Sequence, residues 1–200
     1  MGQRIGILIF DDAEELDFVG PYEVFTVARQ LKPDAGEVLL IAERDAPVTC
    51  AKGMRVLPHA TTADCGQLDV LLIPGGMGTR REAENKALLG WIAEQARRAT
   101  WITSVCTGAL LLTAAGPAKG KRVTTHWGFI EALRARKEAA EVLEHFRYVQ
   151  DGNIVTAAGV SAGIDMALWL VGQIHDVPFA RAVQRYIEYE PLPPYGGLTG

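Results

Sequence analysis

Short apolar runs alternate with amphipathic stretches along the 200-residue chain. Residues 4–10 (Arg-Ile-Gly-Ile-Leu-Ile-Phe) are almost continuously apolar and stop at Asp11 and Asp12, the pattern of a strand buried on both faces. Residues 38–42, 70–74 and 101–105 repeat it. Between them, apolar spacing predicts helices over 17–30, beginning near Gly20-Pro21, and over 81–98. A compact apolar helix over 107–115 stops at Gly116-Pro117. Further along, a short strand at 122–125, a helix at 128–136 and two strands around Asp151-Gly152-Asn153 are expected. Helices over 161–173 and 179–189 follow, then an irregular strap over 191–200. Residues 48–57, with Gly53, read as a hairpin excursion.

Strands alternating with helices predict an α/β fold: a mostly parallel sheet with helices on both faces, formed by residues 1–200 as one domain. Function in such sheets sits beyond the carboxyl ends of the strands. Three segments should converge there: 11–21, 74–79 and 104–108.

Composition narrows the function classes. The chain is 48% hydrophobic and 22% charged with a net charge of −4, and no basic run is present. Nucleic acid and anionic membrane surfaces are therefore not expected partners. The apolar run at 5–10 is too short for a signal peptide, and the stretch at 160–172 is interrupted by Asp165, so a cytoplasmic protein is expected. Three irregularly spaced cysteines and four scattered histidines match neither a disulfide framework nor a metal site.

The candidate chemistry centres on Cys106. A buried strand runs directly into a helix at Ser104-Val105-Cys106-Thr107-Gly108, so the turn should throw the cysteine outward as an exposed side chain. The helix N-terminus beside the sulfur favours thiolate and can bring a cysteine from about 8.5 to roughly 3.5–7.5. The alternative is a buried, inert cysteine. Cys50 and Cys65 fall in connections expected at the surface.

Other residues carry two readings each. Asp17 is either an exposed acid near a helix start or an acid folded inward against Cys106, where the two would share a proton. Gly75 and Gly76, after Pro74, are either a tight turn or backbone donors to developing negative charge. His126 is a base for Cys106 or a packing residue at a helix start. Asp165 is explained by capping and dipole compensation.

These residues carry a wider pattern: Leu16-Asp17 with Gly20-Pro21, Ile73-Pro74-Gly75-Gly76, Ser104 to Gly108, Thr124-Thr125-His126-Trp127, and Ala162-Gly163-Ile164-Asp165. The chain resembles the DJ-1/PfpI superfamily over nearly its whole length, and within it is most similar to the isocyanide hydratases. The resemblance implies a flavodoxin-like three-layer sandwich, a homodimer, and hydration of an isocyanide to an N-substituted formamide without metal or organic cofactor. It assigns Cys106 as nucleophile and Asp17 as proton donor. Thr107 would orient Asp17 or water, and Gly75 and Gly76 would polarise charge. An apolar pocket with Trp127 and Val160 would suit the uncharged substrate.

The same resemblance offers alternatives. One is a glyoxalase- or deglycase-like activity on reactive aldehydes. Another is a redox-sensing, protective domain whose cysteine is oxidised. Protease-like relatives place His directly after the cysteine, where this chain has Thr107. DJ-1-like relatives carry Glu at the position of Asp17. Related transcription regulators add a helix-turn-helix module.

Overall fold

The computed structural model describes residues 2–191. A seven-stranded sheet is laid down by β1 (Gln3–Leu8), β2 (Gly36–Ala42), β5 (Ala60–Thr61), β6 (Val70–Ile73), β7 (Trp101–Val105), β10 (Tyr148–Asp151) and β11 (Ile154–Ala157). Four short pieces form a small hairpin and a separate ladder: β3 (Val48–Thr49) with β4 (Arg55–Val56), and β8 (Arg122–Val123) with β9 (Glu141–Val142). The helices are α1 (Glu15–Leu31), α2 (Thr79–Glu82), α3 (Lys86–Ala96), α4 (Gly108–Ala115), α5 (Ile130–Ala135), α6 (Ala162–Ile174) and α7 (Val177–Tyr186).

The order across the main sheet is β10-β11-β7-β6-β1-β2-β5, parallel except for the β10–β11 pair. Both faces of the central strands are covered, which is why β6 is buried at all four positions and reads as an unbroken apolar run. From β1 the chain steps one way to β2, and from β6 it steps the other way to β7. Right-handed crossovers then put α1 on one face and α2–α3 on the other. Helices α6 and α7 pack with α1, and α3 packs with α4. The change of direction lies between β1 and β6, so the crevice beyond their carboxyl ends is the expected ligand position.

Several expectations are corrected. Helix α1 starts at Glu15, six residues before Pro21, so the proline lies inside the helix. Burial decides this: Asp17, Phe18 and Pro21 all face inward, and the Pro21 ring abuts Gly163 of α6. The single helix expected over 81–98 is two, α2 and α3, because the Asn85 side chain accepts the Leu88 N–H and caps a new start. Cys50 and Cys65 are not at the surface; both are buried in the core. Of the expected strap, residues 192–200 lie outside the described residues. No helix among the described residues is long and apolar enough to cross a membrane.

Candidate active site

The segments after β1, β6 and β7 meet at the carboxyl edge of the sheet. Beyond β1, the Glu14 N–H donates to Gly75 O at 3.0 Å and Ala13 bridges to Gly76, fastening this loop to the one after β6. That fastening carries the first turn of α1, and with it Asp17, inward. Of its two readings, the structure adopts the inward one: Asp17 has no exposed surface. Its Oδ2 accepts the Gly75 N–H at 2.8 Å, whereas the buried Oδ1 has no hydrogen-bond partner among the described residues.

Cys106 ends β7 in a turn with φ +55°, a conformation that costs a non-glycine residue energy and must be held in place. Three bonds hold it. The Cys106 N–H donates to Ala158 O at 2.9 Å and Ala157 O at 3.2 Å, and the Thr125 hydroxyl donates to Cys106 O at 2.7 Å. Gly75 and Gly108 permit the close approach. A Cβ on Gly75 would lie 2.5 Å from Thr107 N and 2.8 Å from Cys106 Cβ; one on Gly108 would lie 2.3 Å from Ile73 O.

The expectation of an exposed thiol is corrected: Cys106 retains only 7% of its surface. So is the expectation of a lowered pKa. Burial pushes the thiol up to about 12, and the neighbouring Asp17 carboxylate pushes the same way. The amides of Thr107 and Val160 oppose this without overcoming it. Burial also raises Asp17 to about 7, helped by Glu14, while the Gly75 amide and the Cys106 thiol pull it down. The pair therefore holds its proton on sulfur when Asp17 is ionised, and titrates as one unit.

Thr107 is placed differently from its expected role. Its hydroxyl accepts the Gly76 N–H at 3.0 Å and lies 3.1 Å from Gly76 O and 3.2 Å from Thr79 Oγ1. It braces the Gly76 loop rather than Asp17. The amides of Gly75 and Gly76 are thus both engaged, on Asp17 and Thr107, and neither is a free donor to developing charge. Their contribution is to hold the acid and to leave room beside the sulfur.

His126 takes the packing role of its two readings. Its Nδ1 accepts the Gly128 N–H at 3.1 Å, capping a short turn over Trp127–Phe129, and its ring abuts Gly159. Asp165 lies in the first turn of α6 as expected and pairs with Arg147 at 2.5 Å. Trp127 and Val160 line an open depression of about 410 Å³, together with Ile130 and Phe146.

Three contributors were not legible in the sequence. Val160 holds φ +48° and presents its amide to the Cys106 sulfur, and no residue pattern marks a β-branched residue for that conformation. Thr125 falls within a run already singled out, but its bond to Cys106 O depends on tertiary placement. Arg80, exposed at the rim, donates to Gly76 O at 3.0 Å.

Residues 3–173 match the model of the DJ-1/PfpI family. The chain is 40% identical to the isonitrile hydratase of Pseudomonas putida, over 98% of this chain and 82% of that protein. It is 29% identical to the Parkinson disease protein 7 homolog of Danio rerio, over 92% of this chain and 95% of that one. Among solved structures, a ThiJ/PfpI family protein from Pseudomonas syringae superposes with a TM-score of 0.89 at 34% identity, covering 98% of this chain and 78% of the other.

Proposed function

The chain belongs to the DJ-1/PfpI family, and on that premise we propose that it hydrates isocyanides to N-substituted formamides, with Cys106 as nucleophile and Asp17 as proton carrier. The observation that carries this reading is the buried pair itself: a thiol and a carboxyl with a single strong preference for where the proton rests, and one carboxylate oxygen left without a partner. The 40% identity to an isonitrile hydratase supports the same reaction.

An isocyanide carbon has no leaving group and no acidic proton. It needs a soft nucleophile and a proton delivered to the same carbon. Asp17 takes the thiol proton as the sulfur forms its bond to the terminal carbon. The protonated acid then gives that proton to the carbon, leaving R–N=CH–S–Cys106, a thioimidate. Water adds to this carbon with one proton passing to Asp17 and one reaching nitrogen. Collapse of the tetrahedral adduct breaks the C–S bond, releases R–NH–CHO and returns the proton to sulfur. Each turnover consumes one isocyanide and one water.

The supporting residues act on this pair. Gly75 anchors Asp17 through its amide and leaves space next to Cys106. Thr107 locks Gly76, so the loop carrying both glycines keeps its distance from the sulfur. The Thr107 and Val160 amides face the sulfur and stabilise negative charge when it leaves carbon. The depression with Trp127 and Val160 takes the apolar substituent. The proposal includes a homodimer, as the family resemblance implies, and a cytoplasmic setting, as expected from the sequence.

The test is formamide production from cyclohexyl isocyanide by purified protein, against a Cys106→Ala control, with methylglyoxal as a parallel substrate. Formamide well above the control and little loss of methylglyoxal are expected. Efficient methylglyoxal conversion without formamide overturns the reading in favour of an aldehyde-directed activity.

A further inference from the structure

Arg80 sits at the rim of this site in an unusual state for an exposed arginine. All of its hydrogen bonds run through Nη1: to Gly76 O at 3.0 Å, Thr79 Oγ1 at 3.1 Å and Thr107 Oγ1 at 3.4 Å. Its guanidinium carbon lies 4.6 Å from the centre of the Phe129 ring. The head group is therefore fixed by three oxygens and an aromatic face. Among the described residues it has no carboxylate partner, although its neighbour Arg81 has two, Asp12 and Glu82. Among the same residues Nε and Nη2 make no hydrogen bond. That edge of a guanidinium presents two parallel N–H groups matched to a carboxylate.

Position gives this edge a purpose. Thr107 follows Cys106 directly, so its α-carbon is about 3.8 Å from that of the cysteine. Through its contact with the Thr107 hydroxyl, the Arg80 head group is anchored to the residue next to the cysteine. Asp17 and Glu14 bring negative charge to this region, and its other cation, Lys52, is already paired with Glu14, so a cation for an anionic ligand has to come from the rim.

We propose that Arg80 is a specificity residue that holds the carboxylate of the substrate, making short isocyano carboxylates the preferred class. The substrate class rests on the hydratase reading; the anion site beside Cys106 does not. Arg80 is pre-organised, so little side-chain entropy is lost when the carboxylate docks.

Alkylation of Cys106 separates the two. Iodoacetate and iodoacetamide both lose iodide to the same thiolate, so the ratio of their rates is independent of the thiol pKa and reads only the preference for an anion. Rates at the Cys106 peptide are followed by mass spectrometry in wild type, Arg80→Gln and Arg80→Lys. The expected result is an iodoacetate-to-iodoacetamide ratio about tenfold lower in Arg80→Gln, with partial recovery in Arg80→Lys. An unchanged ratio, or equal slowing of both reagents, overturns the anion site. The kcat/KM of isocyanoacetate relative to cyclohexyl isocyanide should fall by a similar factor in Arg80→Gln. If neither isocyanide is turned over by wild type while the alkylation ratio still falls, the anion site stands and the hydratase reading fails.

Discussion

Asp17 and Cys106 are buried beside each other: Asp17 Oδ2 is held by the Gly75 amide, and its buried Oδ1 has no partner among the described residues. Burial raises the cost of ionising either group, and the Asp17 carboxylate adds to that cost at Cys106. Replacing Asp17 by Asn removes the negative neighbour while keeping an oxygen for Gly75. The Cys106 thiol should then titrate below its value of about 12, seen as alkylation that accelerates at lower pH than in wild type. Isocyanide turnover should fall by about 10²–10⁴-fold, because no group is left to carry the proton. Full turnover by Asp17→Asn contradicts the proton-carrier role.

The pH profile of kcat/KM follows from the same pair. With Asp17 protonated, the thiol proton has no acceptor and attack is blocked. The rate should rise as pH passes through about 7, where Asp17 ionises, and hold a plateau above it. A profile that is flat from pH 5 to pH 9 (about two units either side) contradicts this assignment.

Stability should move in the opposite direction. Asp17 binds its proton more tightly folded than unfolded, with a value of about 7 against 3.8. Its contribution is therefore fully present below the unfolded value and is lost as pH rises through the folded one, a total of about 4 kcal/mol. Asn mimics the neutral acid. The melting temperature of Asp17→Asn relative to wild type should increase as pH rises across that interval; a constant difference removes the linkage.

Thr107 tests the brace behind the site. Thr107→Val leaves the Gly76 N–H without its acceptor, a loss of about 1–3 kcal/mol. Turnover should drop as the glycine loop loosens. Thr107→Ser keeps the hydroxyl and should restore both the melting temperature and the rate. A defect in Thr107→Ser as large as that in Thr107→Val would contradict the hydroxyl as the brace.

The sequence displays the strands plainly because parallel strands buried on both faces have to be apolar throughout. Residues 101–105 coincide with β7, and the turn at Cys106 follows from a strand that meets a helix without a connecting loop. The convergence of three segments was also legible, since it needs only strand direction. The electrostatics were not. A helix N-terminus beside Cys106 argued for a lowered pKa, but burial and Asp17 outweigh it. How far a side chain is buried depends on elements remote in sequence: Asp17 is sealed by Gly75, and Cys106 by the same loop. Pro21 misled for a similar reason, because its contact with Gly163 keeps it inside α1.

The most direct measurement is intact-protein mass spectrometry during turnover of an isocyanide, with product analysis alongside. Wild type should gain the mass of one isocyanide on the peptide containing Cys106 and release the N-substituted formamide, while Cys106→Ala does neither. Formamide formed equally by Cys106→Ala, or no formamide from wild type, contradicts the account.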